Sequence, residues 1–262
     1  MKRPYLVVHP SWIPFIVQFV PYTFGYLILY QHAKQLDSYI SAGGLRRRII
    51  LDNGAWEGDK VPTGEELLET AVRVGATYVV APDRIGEDAH TNFALADEFL
   101  HLWVTNEDFK NNVRPLVMLQ GKNSEDILNF WTSVRLSVVN AKHGIAVGLP
   151  RHLADRGESR DALIDALQLR APGGSIRFHL MGMSKNPSDD IRAYRRQGVT
   201  GIDSAKPLWM PPITFDSYLK GEEIQVRRPD NFFQEDVWNL PLEVLTNFRY
   251  YTTVFRIHEE KF

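Results

Sequence analysis

A closed α/β barrel of the (β/α)8, TIM-type class is the fold this sequence predicts, and three observations predict it. Short apolar strands alternate with amphipathic helices along most of the chain, which points to a parallel sheet. Eight such strands fit within about 200 residues, the density of a barrel and not of an open doubly wound sheet. Three strands end in an aspartate: Ile49-Ile50-Leu51-Asp52, Tyr78-Val79-Val80-Ala81-Pro82-Asp83 and Thr200-Gly201-Ile202-Asp203. An acid at the C-terminal tip of a barrel strand faces the cleft where barrel enzymes do their chemistry. An open sheet stays the alternative, because the first unit shows no clear helix.

In chain order, Tyr5–Val8 reads as the first strand, ended by His9-Pro10. The apolar stretch Trp12–Tyr30 is interrupted by Pro14, Gln18, Pro21 and Gly25, and reads as a buried strand–loop–strand segment whose second strand is Tyr26–Tyr30. It is too broken for a membrane span of roughly 20 apolar residues, or for a signal peptide. A helix is expected over Ala33–Ser41, stopped by Gly43-Gly44, before the third strand at Arg48–Leu51. Thr63 and Glu66 form a capping box for a helix to Val74. Strand four is Tyr78–Ala81, followed by a helix over Ala89–Trp103; strand five is Pro115–Leu119. Ser124 is expected to cap the next helix, with Glu125 and Asp126 at its positive end. Strands six to eight are Ile145–Val147, Ile176–Leu180 and Thr200–Ile202, with helices over Ser159–Leu169 and from Ser188 to Arg196 between them. From Trp209 the pattern gives way to prolines and aromatics. Residues 1–208 are therefore expected to form the barrel, and 209–262 a C-terminal extension packed on it.

Apolar residues make up 44% of the 262 and charged residues 24%, enough for a sizeable core. The net charge of −2 excludes a bulk polyanion binder but not a local basic patch. With no cysteine, the chain holds no disulfide, thiolate zinc site or cysteine nucleophile, which fits a reducing compartment. The expectation is a soluble, cytoplasmic protein (host cytoplasm if phage-encoded) with no membrane association. No glycine loop for phosphate, no metal cluster and no Ser-His-Asp order stands out, so no metal or cofactor is expected.

The strand ends supply a coherent set of groups. Asp52, Asp83 and Asp203 can divide nucleophile and acid/base roles at a glycosidic carbon. Gln120 and the backbone around Gly148 can hydrogen-bond a flat polar heterocycle, and Trp56 and Met181 can sandwich it. Against this stand plainer readings: Asp-Asn-Gly is a ready turn sequence, Asp83 can cap a helix, and Trp56 and Met181 can be core. His9, His143 and His179 read as ordinary strand-associated histidines.

These residues, taken in order, resemble the motifs of the tRNA-guanine transglycosylases. Asp52-Asn53-Gly54-Ala55-Trp56 is similar to that family's Asp-Ser-Gly-Gly-aromatic motif. Gln120-Gly121 resembles Gln-Gly-Gly, Val147-Gly148-Leu149 resembles Gly-Gly-Leu, Leu180-Met181-Gly182 resembles Leu-Met-Gly, and Ile202-Asp203 resembles Phe-Asp. The resemblance implies a base exchange with Asp203 as nucleophile and Asp52 as general acid/base. Asp83, Gln120, Gly121, Gly148, Leu149, Trp56, Met181 and Gly182 would bind the base, and the co-substrate would be a 7-deazaguanine base, with no other cofactor. The family's zinc subdomain needs cysteines that this chain lacks. The chain is short besides, and so looks more like the compact relatives that insert 7-deazaguanine derivatives into DNA. DNA is accordingly favoured over tRNA as partner, with room for an accessory protein that opens the duplex. Arg84, Lys122, Arg151, His152, Lys185 and Lys206 all follow strand ends and are the expected phosphate contacts. By contrast, Arg46–Arg48 and Arg192, Arg195 and Arg196 tend toward the opposite face. A nucleic-acid or nucleoside glycosidase, and a barrel that binds nucleic acid without reacting, are the alternatives.

Overall fold

The structure, a computed structural model, describes residues 2–19, 24–36, 49–55, 62–140, 144–170, 176–222 and 244–255. Eight parallel strands close into a barrel in sequential order: β1 Arg3–Val7, β2 Gly25–Leu29, β3 Ile49–Asp52, β4 Tyr78–Val80, β5 Arg114–Met118, β6 Ala146–Pro150, β7 Arg177–Met181 and β8 Val199–Ser204. The circle is completed by β8 against β1, where Tyr5 pairs with Asp203. The open-sheet alternative is thereby excluded.

Strand periodicity sorts the side chains into two cores. Leu27, Leu29, Ile50, Val80, Leu116 and Met118 fill the barrel interior with Tyr5, while Ile28, Leu51, Val79 and Val117 face the surrounding helices. Large interior groups are matched by small neighbours. At Gly25 a Cβ would lie 2.2 Å from the Tyr5 ring, and at Gly148 it would lie 2.2 Å from the Met118 sulfur, so a side chain at either place would displace its neighbour.

The helices are α1 Ile13–Phe19, α2 Gly64–Arg73, α3 Ala89–Thr105, α4 Glu107–Asn112, α5 Ser124–Asn140, α6 Arg151–Asp155, α7 Arg160–Leu169, α8 Pro187–Arg195, α9 Lys206–Trp209, α10 Pro212–Leu219 and α11 Val244–Phe255. The capping box forms as expected: Thr63 accepts from Glu66 N, and the Glu66 carboxylate accepts from Thr63 N. Three expectations are corrected. The stretch after β1 is helical, not a strand and loop. His9 accepts from Ser11 N at its start, Pro14 sits early in α1 where no backbone donor is needed, and Trp12, Ile13 and Ile16 bury one face. The helix foreseen from Ala33 is a 3-10 helix over Tyr30–Leu36, and residues 37–48, with Arg46–Arg48, lie outside the described set. The cap of α5 is Asn123, not Ser124, and α8, expected from Ser188, starts at Pro187 behind Asn186 as its cap. Both asparagine side-chain carbonyls accept from the third residue on, and asparagine suits that position as well as serine does.

The foreseen boundary at 208/209 falls inside α9. Beyond it, α11 lies against the seam between the first and last strands. The buried Tyr251 hydroxyl donates to the carbonyls of Tyr5 (3.3 Å) and Ile202 (3.4 Å), and Phe24, Phe215 and Phe255 pack around its ring. Asn247 ties the same helix to α9 through the Pro207 and Met210 carbonyls. No described helix is long and apolar enough to cross a membrane.

Candidate active site

The C-terminal ends of the strands open onto a cavity of about 600 Å³. Its wall takes Asp52 from the end of β3 and Asn53 just after it, Asp83 from beyond β4, Gln120 from beyond β5, Met181 from the end of β7 and Gly182 just after it, and Asp203 and Ser204 from β8. All three strand-end acids therefore share one cavity.

Asp83 is 5% exposed and is gripped from both sides. The Asn53 amide donates to one carboxylate oxygen at 2.7 Å and the Gln120 amide to the other at 2.5 Å. Asn53 is itself fixed, donating to Ala81 O and accepting from Ala55 N. Burial pushes the Asp83 carboxyl above the usual carboxylate range, and the two amide bonds pull against that shift. Gln120 donates to Asp83 through its amide nitrogen, and its buried amide oxygen has no hydrogen-bond partner among the described residues. A buried acceptor in a cavity wall calls for a donor from a ligand or from water.

Asp203 is 4% exposed. Gly182 N donates to one of its oxygens at 3.0 Å, and His179 Nε2 lies 3.1 Å from the other. Gly182 adopts φ +71°, a conformation that favours glycine, and a Cβ there would stand 3.0 Å from the Arg151 stem. The turn is braced from beneath by Arg160, wholly buried, which is paired with Asp190 and donates to the Gly182 carbonyl at 3.0 Å. Asp52 closes β3, and its carboxylate accepts from Asn53 N at 3.1 Å.

Not every expected residue reaches the cavity. Gly121, Gly148 and Leu149 do not line it. A Cβ at Gly121 would strike Asp126 at 2.7 Å, so this glycine admits the first turn of α5. Gly148 makes room for Met118, its carbonyl accepts from Leu119 N, and the Leu149 side chain is buried among the helices. Trp56 lies outside the described residues. Among the expected phosphate contacts, Arg151, His152, Lys185 and Lys206 line the cavity, whereas Arg84 and Lys122 are exposed beside it.

Lys206 is corrected as a free phosphate contact. Its ammonium donates to Met183 O (2.5 Å), Ser184 O (3.0 Å) and the Tyr218 hydroxyl (3.3 Å), and lies 4.6 Å above the Tyr218 ring. Burial, with the Arg151 charge nearby, lowers its pKa to about 8. His152 Nε2 is likewise engaged, 2.9 Å from Gly121 O, and Arg151 pairs loosely with Asp155 at 3.8 Å.

Two residues in direct contact with the acids escaped the sequence reading. Asn53 stands within the Asp52–Trp56 motif, but nothing in the sequence gives it a role of its own. His179 carried a weak signal, since period two places it on the same face as Met181. Among the described residues, no group of three or more His, Asp or Glu side chains is placed to hold a metal ion.

No family model matches the chain, and no curated protein matches it. Among solved structures it is similar to the triosephosphate isomerase of Bartonella henselae, with 18% identity, a TM-score of 0.47, and coverage of 77% of this chain and 92% of that one. The closed ring of eight parallel strands makes this chain a TIM-type barrel on its own topology.

Proposed function

We propose that this cavity exchanges guanine in DNA for a 7-deazaguanine derivative through a covalent aspartyl-glycosyl intermediate. The observation that carries this reading is the meeting of Asp52, Asp83 and Asp203 with Gln120 and Met181 in a single cavity at the C-terminal strand ends. The motif resemblance given above supplies the reaction.

Asp203 attacks C1′ of the target nucleotide, and the C1′–N9 bond breaks as the guanine leaves with the electron pair. Asp52 gives that leaving base a proton. The incoming 7-deazaguanine returns a proton to Asp52, attacks C1′ through N9, and frees the Asp203 carboxylate. Two inversions retain the sugar configuration. The carboxylate of Asp83 and the unpartnered oxygen of Gln120 are acceptors, matched to the N–H donors along the guanine edge. The soft Met181 thioether meets its face. Arg151, directly after β6, and Lys185, beyond β7, line the same cavity and would meet backbone phosphates. DNA is preferred to tRNA because a chain without cysteine cannot build the zinc subdomain that serves tRNA docking in the family. A base within a duplex must be flipped out, at a cost of a few kcal/mol.

The test is incorporation of radiolabelled guanine into duplex DNA and, in parallel, into unmodified tRNA, with Asp203→Ala as control. Label in DNA that vanishes in the variant supports the proposal. Label in tRNA alone moves the substrate to tRNA, and release of free guanine without incorporation marks a glycosidase. Binding to DNA that is unchanged in Asp203→Ala, with no label anywhere, leaves a binding barrel and sinks the proposal.

A further inference from the structure

We infer that His179 is the positioning residue for the nucleophile, donating from Nε2 to Asp203 and fixing which carboxylate oxygen faces C1′; the role rests on the transglycosylase reading. The histidine is built into its place by the backbone. Between β7 and β8 the register slips by one residue: Phe178 pairs with Val199, but His179 pairs with Gly201. The extra residue, Thr200, turns its hydroxyl back to the Phe178 carbonyl at 2.9 Å. A bulge of this kind re-aims the side chains that follow it, and here Asp203 follows.

The imidazole is held on its remaining sides. Tyr5 meets it edge to face with ring centroids 5.3 Å apart. Gly201 lies directly beneath: a Cβ there would stand 2.7 Å from His179 Nδ1 and 2.9 Å from the Tyr5 ring. Histidine and carboxylate side chains are only 3% and 6% exposed, so water cannot replace the bond cheaply. An ionised carboxylate only accepts, so the contacting Nε2 must carry the hydrogen. With Gly182 N on the other oxygen, the carboxylate is held at two points and cannot swing about its χ2 axis.

Two measurements on the full-length protein test this. The first reads the pair without any activity. Long-range proton–nitrogen spectra of histidine-labelled protein, with His179 assigned by its loss in His179→Gln, should show Nε2–H and a displaced ring signal in Asp203→Ala. An Nδ1–H tautomer, or a ring signal indifferent to Asp203→Ala in a variant that melts cooperatively, overturns the inference. The second compares His179→Leu, which keeps bulk but loses the donor, with His179→Gln, whose amide N–H can replace it. For base exchange, His179→Leu should lose about 100-fold in kcat, the scale of a small misplacement of a reacting group. Its KM for the base should stay unchanged, and His179→Gln should recover most of the loss. Equal rates for Leu and wild type, or for Leu and Gln, overturn the positioning role while leaving the transglycosylase in place. An intact pair in a wild-type protein that exchanges nothing overturns the reading and the role together.

Discussion

The β3–β5 wall and the β7–β8 wall of the cavity each bury one aspartate to almost the same depth, and hold it in different ways. Asp83 is bridged by two side-chain amides that come from either side of its strand, Asn53 after β3 and Gln120 after β5. Asp203 is fixed from one neighbouring strand, by a backbone N–H and an imidazole. Amides on rotatable side chains can exchange partners with an incoming ligand, and Gln120 already has an unused oxygen to offer. A backbone N–H in a braced glycine turn cannot follow a ligand, so Asp203 keeps one orientation. The first arrangement suits reading a base edge, the second a nucleophile whose direction of attack is fixed.

The contrast can be broken most severely at Asp203. Asp203→Ala should reduce exchange by at least about 10³-fold, because a covalent route loses its nucleophile. Binding of 7-deazaguanine, read by calorimetry, should weaken far less. A variant that binds no base would show that the two walls do not divide the work. Asp83→Ala should act the other way, costing base affinity first. It also strands the buried amides of Asn53 and Gln120, so denaturant unfolding should reveal a loss of about 1–3 kcal/mol.

Asp83→Asn sharpens the same comparison through pH. The folded-state carboxyl of Asp83 titrates above its unfolded value, with burial the main cause. Its contribution to stability is therefore fully present below the unfolded value near 3.8 and is lost as pH rises through the folded one. The unfolding free energy of wild type minus that of Asp83→Asn should fall across that window and be flat above it. A difference that grows with pH would contradict the assignment.

Gly201→Ala probes the second wall without touching either acid. Its methyl would press on His179 and Tyr5, costing about 1–3 kcal/mol. Exchange should slow by about tenfold while affinity for the base, set by the other wall, holds. A loss confined to affinity would refute the division. The smallest effect on exchange is expected from Lys206→Met. Lys206 titrates near 8 in the fold against 10.5 unfolded, so the unfolded chain binds more protons between those values. Wild-type stability should gain a rising component from pH 8 to 10.5 that the variant lacks, visible in melting curves taken across that range.

How far the sequence could be read depended on whether a feature was local. The strands and their terminal acids were legible because period two and turn residues are written in consecutive positions. The helix after β1 is as local, but Pro14 reads there as an interruption of an apolar run, although proline is tolerated in a helix's first turn. Other features lie between elements. Gly148 could be seen as small, but not that Met118 claims the space. Lys206 could be placed at a strand end, but its capture needs the Ser184 carbonyl and Tyr218 from α10. The meeting of His179 and Asp203 depends on a one-residue slip in pairing that no single strand encodes.

The Tyr251 hydroxyl, joined to both edges of the barrel seam, bears on how the protein is made. It lies 246 positions from Tyr5 and 49 from Ile202, so β1 waits through the synthesis of nearly the whole barrel before its second partner and the tyrosine arrive. Until then the nascent chain carries two open strand edges over an apolar interior, the state most prone to pair with a stranger. Pairings so distant along the chain close slowly. Because Asp203 is on one side of that seam, the cavity at the strand ends is complete only after the last strand and the tyrosine are in place.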